Sequence, residues 1–408
     1  MLRSRVFLTG QAVSMVGDGL AILAIPLLVL QVSRSPLLAV LASLPGSAGY
    51  LAAGLPAGVV ADRIDPWRAL VAADIIRTLI FVTLFACTGS ASTQPWLILS
   101  LAFAAGVVTV FADTALAIAV RDVFTGPRLI AANSWLESAN QGGLIIGPSA
   151  AGLLAAAGLL HVSMLIDALT FLVSLGTLAV RRPYRNDERP AGQPASLATL
   201  RRELAEGLKY LGATRLLLTL LCFTLVLNLC LGADKLVIFL ARNTLHWPAT
   251  AVGLAVTAGG VGGLLGAAGT NLLITRTGPV PAVVLSSSAS GVALILIATA
   301  TSLPALVTGN LVYTAAIIAA SVTMRALRQV LVPRELLGRV TASWRLGGQA
   351  VTVAGALVAG AMASLCDGDP RPVIAGAGLM TLLTVVIAWL TGIRRQDVPE
   401  AAVALLRR

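Results

Sequence analysis

Asp18 stands about twelve residues into a long apolar run, 6–31. An ionisable group in hydrocarbon costs at least about 2.5–3.5 kcal/mol, so it needs a partner, water or a function. A carboxylate on the wall of a cavity that opens and closes is alternately hydrated and desolvated. It would exchange protons between the two states. The other reading is a structural acid, hydrogen-bonded to Gln11 or to a neighbouring helix. Further polar residues interrupt apolar runs: Asp113, Asn140, Gln141, Asn228, Asn310, Tyr313 and Gln349. Asp167 and the Asp234-Lys235 pair fall close to run ends, where local pairing or snorkelling is the expected explanation.

Other chemistries find no residues to carry them. There is no GxxxxGK[ST], hence no phosphate-cradling loop. Two histidines, His161 and His246, both at expected helix ends, argue against haem or quinone redox work. Four cysteines (Cys87, Cys222, Cys230, Cys366) show no CxxC, and three lie in apolar runs as small buried hydrophobes. No catalytic residue, metal site or cofactor is expected.

The elements that must position these residues follow from composition. Of 408 residues, 57% are hydrophobic and 12% charged, about half the charge of a soluble domain. Apolar runs near 20 residues suit the crossing of roughly 30 Å of hydrocarbon. Twelve spans are expected: 6–31, 36–60, 69–89, 96–120, 134–158, 162–181, 214–241, 250–274, 279–300, 303–326, 341–364 and 372–393. The first contains Gln11 and Asp18 and exceeds 20 residues, so it does not read as a cleavable signal. Leu197, Leu200, Leu204, Leu208 and Leu211 form one stripe in the only long loop. They predict an amphipathic helix at the interface, with a solvated linker helix as the alternative.

The net charge of +11 is not a nucleic-acid signal, because the basic residues cluster in short gaps between runs. With the N-terminus inside, 23 of the 29 Lys+Arg fall in cytoplasmic segments, three outside and three within spans. That asymmetry orients the chain with both termini cytoplasmic and supports an even number of spans. Pro127-Arg128-Leu129, leading to Asn133-Ser134-Trp135, echoes Pro333-Arg334-Glu335-Leu336, leading to Ala342-Ser343-Trp344. The offset covers six spans, so the repeat is parallel. It places Asn228 at the depth of Asp18. The expected organisation is an N-terminal six-helix half (1–181), a cytoplasmic linker (182–213) and a C-terminal six-helix half (214–408).

The loop after the second span reads Gly58-Val59-Val60-Ala61-Asp62-Arg63-Ile64-Asp65-Pro66-Trp67-Arg68, followed by Asp74 and Arg77. It resembles the GxxxDR signature of the major facilitator superfamily. The run from Arg328 to Val340 resembles the corresponding loop of a bacterial branch that holds the enterobactin exporter and macrolide efflux proteins. Gly147-Pro148, Ile166 to Phe171 and Glu206 to Leu211 are similar to further signatures of that branch. Two departures stand out. Pro66 replaces a usual Arg, so a charge relay must use Arg63 or Arg68. The Arg often found in the fourth helix of drug antiporters is missing, which weakens any carry-over of a coupling mechanism built on it.

The resemblance implies an all-α membrane protein, with twelve transmembrane helices in two pseudo-symmetric six-helix halves, the major facilitator fold. It implies a central cavity lined by the first and seventh helices, with Asp18 and Asn228 as proton-coupling or substrate residues. It implies a cytoplasmic gate of Gly58, Asp62, Arg63, Arg68 and Asp113. Cavity candidates are Gln11, Asn140, Gln141, Asn310, Tyr313 and Gln349. Gly143, Gly147, Pro148 and Gly152 form the motif of the fifth helix. The expected activity is export of an amphipathic organic compound by alternating access, driven by proton antiport. The alternatives are proton-coupled uptake of a metabolite and a non-transporting receptor or scaffold. The expected partners are a small-molecule substrate and the lipid bilayer, with no nucleic acid, in a monomer of the bacterial inner membrane. The proton gradient is the expected energy source.

Overall fold

In the computed structural model the chain is described at residues 2–33, 35–88, 94–124, 127–179, 205–206, 209–212 and 215–390. These residues form helices and no strand. The first seven are α1 (Leu2–Ser33), α2 (Pro36–Ala42), α3 (Pro45–Arg63), α4 (Pro66–Thr88), α5 (Pro95–Val123), α6 (Pro127–Ala156) and α7 (Val162–Ala179). The rest are α8 (Arg215–Asp234), α9 (Ala249–Thr277), α10 (Pro279–Ala298), α11 (Leu303–Leu331), α12 (Arg334–Leu365) and α13 (Arg371–Leu390). After α8, a short turn and a π-helical stretch, Leu240–Thr244, extend that span.

Proline sets many of the starts. α2, α3, α4, α5, α6 and α10 all begin on Pro, whose missing N–H falls where a helix has no intrahelical acceptor to satisfy. At α4 the preceding Asp65 completes the start, because the Arg68 N–H donates to Asp65 Oδ1 at 3.0 Å. Pro45 also breaks the second span, and α2 and the first part of α3 meet at a 57° bend.

Among the described residues, ten helices are long and apolar enough to cross a membrane, and the bent α2–α3 pair makes an eleventh. The twelfth expected span is α6, which fails that test. Its Asn133, Ser134, Glu137, Ser138 and Asn140 are exposed along one flank and lower its hydropathy. Each of the twelve expected spans therefore has a helix or helix pair at its place. The burial pattern is inverted relative to a soluble protein. On α4, Asp74 and Arg77 are 0% and 4% exposed, whereas Leu79 is 62% exposed. On α7, Ser163, Asp167 and Ser174 are buried while Leu169, Leu172 and Val173 are exposed. Apolar side chains outward and polar ones inward is the arrangement for a hydrocarbon solvent.

The helices group into two compact units. The first comprises Met1–Arg34, Leu41–Leu200 and Pro248–Thr257; the second comprises Ser35–Val40, Arg201–Trp247 and Ala258–Arg408. The division falls inside the expected linker, but each unit also includes a short segment from the other half of the sequence. Most of the amphipathic stripe lies outside the described residues. Its last member, Leu211, is buried in the core of the second unit with Leu217, Leu220, Phe223 and Trp344.

Within each unit the pairings repeat. In the first, α1 packs on α6 and α7, and α4 packs on α5 and α7. In the second, α8 packs on α12 and α13, and α10 packs on α11 and α13. These are the same pairs six spans later, which gives the sequence repeat a structural counterpart. Glycine makes a close crossing in each set. A Cβ on Gly19 of α1 would strike the backbone of Gly143, and one on Gly147 would strike Gly19. In the second unit Gly232 and Gly355 meet the same way between α8 and α12. Small residues permit close backbone approach where no hydrophobic force drives association.

Candidate functional site

The Gly19–Gly143–Gly147 crossing holds α1 close to its neighbours and sets Asp18 against α4 and α7. Two turns apart on α1, Gln11 and Asp18 address the same two helices at different points. The Gln11 amide donates to Ser174 Oγ of α7 at 2.7 Å. Ser174 Oγ in turn donates to Asp74 Oδ2 of α4 at 2.7 Å. Arg77 Nη2 donates to the other Asp74 oxygen, Oδ1, at 2.6 Å. Both Asp74 oxygens thus accept a hydrogen bond, the pattern of an ionised carboxylate. The Arg77 guanidinium also lies over the Phe171 ring of α7, 4.2 Å from its centroid, a cation–π contact in a dry setting.

Arg77 reaches a second acid less well. Its Nη1 is 3.8 Å from Asp18 Oδ2, an ion pair without a hydrogen bond. The Asp18 side chain is 39% exposed, against 5% for Arg77 and none for Asp74. Asp18 is therefore the accessible end of an otherwise enclosed chain of polar groups. The charges acting on it come from three helices: Arg77 and Asp74 of α4, Asp113 of α5 and Asp167 of α7. Among the described residues, this cluster holds several carboxylates and one guanidinium.

Asp167 is expected near the outer end of its span, and it is the sixth residue of α7. It packs against Gly17 of α1, where a Cβ would meet both Asp167 and Thr170, which brings it beside Asp18. Asp74, Arg77 and Ser174 were not singled out as coupling residues by sequence. The available signal was the i, i+3 spacing of Asp74 and Arg77 in an apolar run, which puts both on one helix face.

The other sequence candidates are spread more widely. Gln11 is buried and bonded to Ser174 inside the wall of the unit. Asn228 lies beside Gly348 and accepts from Thr352 Oγ1 at 3.3 Å. The buried face of α10, the counterpart of α4, carries Ser286, Ser287 and Ser290 in place of charges. Asn310 and Tyr313 are buried on α11, and Gln349 is partly buried on α12. Asn140 is exposed on α6, and Gln141 donates to Glu137 at 2.8 Å. Of the gate residues, the side chains of Gly58, Asp62 and Arg63 lie outside the described set, and Arg68 is exposed at the start of α4. Asp113 is an exposed residue of α5 whose charge acts on Asp18.

The glycines of the fifth-span motif are packing residues. Gly143 and Gly147 face α1, and Gly152 faces Ala249 and Gly253 at the start of α9. Pro148 supplies the carbonyl nearest Gly253. Nearby, the Ser149 and Thr257 hydroxyls are 2.6 Å apart, and Thr257 donates to the Ile145 carbonyl at 3.0 Å.

A family model described as Major Facilitator Superfamily matches residues 7–241. No curated protein matches the chain. Similar solved structures include the nucleoside transporter NupG, with a TM-score of 0.74 and 14% identity, covering 97% of this chain and 100% of that one. A bacterial homologue of the iron transporter ferroportin in an inward-facing state has a TM-score of 0.69 and 16% identity, covering 94% and 98%. A POT family transporter in complex with a thioalcohol-conjugated peptide has a TM-score of 0.75 and 10% identity, covering 96% of each chain. At such identities the likeness is one of fold. With a family match over more than half of its length and the same helix pairings in both units, the chain belongs to the Major Facilitator Superfamily of membrane transporters.

Proposed function

We propose that this transporter is a secondary active exporter of an amphipathic organic compound, such as a drug, siderophore or natural product, driven by proton antiport. One observation carries the reading. The accessible Asp18 is 3.8 Å from a guanidinium already hydrogen-bonded to Asp74 at 2.6 Å. An ionised Asp18 pulls on Arg77; a protonated one releases it to Asp74. A cationic group on a substrate competes with the proton for the same carboxylate. Mutually exclusive binding of two ligands to one site is the physical content of antiport. The direction of transport rests on the resemblance to the efflux branch. No cofactor is needed beyond the proton gradient, and a single chain supplies both units. The surplus of basic residues in cytoplasmic segments supports an orientation with both termini inside, and the resemblance implies a monomer of the bacterial inner membrane.

Proton-coupled uptake of a metabolite is the second reading, since the same cluster also serves symport. Inverted membrane vesicles with an acidified lumen separate the two. Tetraphenylphosphonium, ethidium and neutral amphipaths are added while a pH-sensitive dye reports the lumen. Export predicts that a transported compound accumulates in the lumen and drains the gradient, and that a protonophore stops both. Movement of compound and protons in the same direction would replace export with uptake.

A further inference from the structure

Asp167 is the buried acid that the scheme above leaves unused. It is fully enclosed on α7. Thr170 Oγ1 donates to the Asp167 carbonyl at 2.7 Å and reaches Oδ1 at 3.3 Å. Asp167 Oδ2 is buried and has no hydrogen-bond partner among the described residues. The helix against it is α1, at Gly17, the residue before Asp18. The charges that face Asp167 are Asp18 of α1 and Arg77 of α4. Arg77 has its best partner in Asp74, and its remaining nitrogen, Nε, is also buried and unpartnered.

An enclosed oxygen with no donor suits a carboxylic acid far better than a carboxylate. A carboxylate there would be desolvated with a second acid beside it, and Arg77, the one adjacent guanidinium among the described residues, is committed to Asp74. The bare α1 backbone at Gly17 brings the acid to the level of Asp18, so the two carboxyl groups act on each other rather than as separate sites. We propose that Asp167 is a second proton-binding residue of this transporter, coupled to Asp18 across the Gly17 contact. The proton held on Asp167 is lost when the α1–α7 contact opens and Oδ2 is hydrated, and it is regained on closure. No bond other than O–H forms or breaks, and Arg77 keeps its charge throughout. The binding of this proton stands on the packing alone; its part in transport rests on the proton-coupled reading.

Infrared difference spectroscopy of the full chain in nanodiscs tests it without a substrate. The wild type is expected to show a carboxylic-acid carbonyl band at neutral pH that disappears in alkali. Asp167→Asn should lose that band, and Asp167→Glu should keep it at a shifted frequency. Thr170→Val, which leaves the acid in place, should shift it too. Asp18→Asn should change the pH at which the band disappears. No such band in the wild type, or a carboxylic-acid band of unchanged intensity in Asp167→Asn, overturns the proposal. If Asp167→Asn fails to fold, an unshifted band in Thr170→Val overturns it instead. A band displaced by sodium at fixed pH would make the site one for an alkali cation and overturn it likewise. Wild-type transport that ignores a pH gradient, with the band intact, would sink proton coupling alone.

Discussion

Arg77 and Asp18 form an ion pair at 3.8 Å, between helices α4 and α1, in which one partner is buried and the other is exposed by 39%. The pair is loose because Arg77 is held by Asp74 one turn earlier on its own helix. On the proposed antiport reading, the charge on Asp18 sets how strongly Arg77 is drawn away from Asp74, and so would link a proton to the packing of α1 against α4 and α7.

The Asp74–Arg77 pair should be structural. Removing one partner of a buried ion pair typically costs about 3–5 kcal/mol, because the other charge remains buried. Arg77→Gln should therefore lower the thermal unfolding temperature in detergent sharply. The double variant Asp74→Asn/Arg77→Gln should recover part of the loss, because it removes the enclosed Asp74 charge and leaves the partly exposed Asp18 without its cation. A single variant as stable as the wild type would show that water or another group already compensates Asp74.

Asp18→Asn should behave in the opposite way. The side chain is partly exposed and makes no hydrogen bond to Arg77, so the variant should cost much less stability than Arg77→Gln. Transport driven by a pH gradient should fall to background, while downhill exchange of a labelled compound survives. Asp18→Glu should retain partial activity with a displaced pH optimum. Full gradient-driven transport by Asp18→Asn would remove this residue from coupling, and unfolding of the variant would make it structural.

Orientation is tested by accessibility. In a background with Cys87, Cys222, Cys230 and Cys366 replaced, single cysteines at Ser92 and Asp369 should react with an impermeant thiol reagent from outside. A cysteine at Gln193 should react only after the membrane is breached. Labelling of Gln193 from outside would contradict an inside N-terminus followed by six spans.

The sequence made the spans legible because a membrane solvent imposes long apolar runs. Even α6, which falls short on hydropathy, was expected as a span, at 134–158. Asp18 was legible as an acid deep in such a run. Its partners were not. Asp74 and Arg77 stand just inside a loop signature and read as part of it, and Ser174 has nothing to distinguish it from any small residue of a span. Asp167 was placed by its distance from a helix end, and what it faces depends on the register of α7 against α1 at Gly17, which no local pattern encodes. Gln11 was drawn towards Asp18 by proximity on one helix, but a separation of two turns let it bond α7 instead.

Adjacent glycines on α6 give the most discriminating test of the packing. A Cβ on Gly143 would lie 2.5 Å from the Met15 carbonyl oxygen and 3.2 Å from the Val16 Cα, both backbone atoms of α1. Neither can move without displacing the helix that carries Asp18. At Gly142 a Cβ meets nothing within 4 Å. Gly143→Ala should therefore destabilise the protein by on the order of 1–3 kcal/mol, the usual cost of overpacking. It should also impair transport, because α1 is pushed from α6 at the level of the Asp18 cluster. Gly142→Ala replaces the poorer helix former with the better one, and should be neutral or stabilising by up to about 1 kcal/mol. Thermal unfolding of both variants in the same detergent measures the contrast directly. Equal effects at the two positions would mean that α1 and α6 do not approach through Gly143, and the placement of Asp18 against α4 and α7 would lose its support.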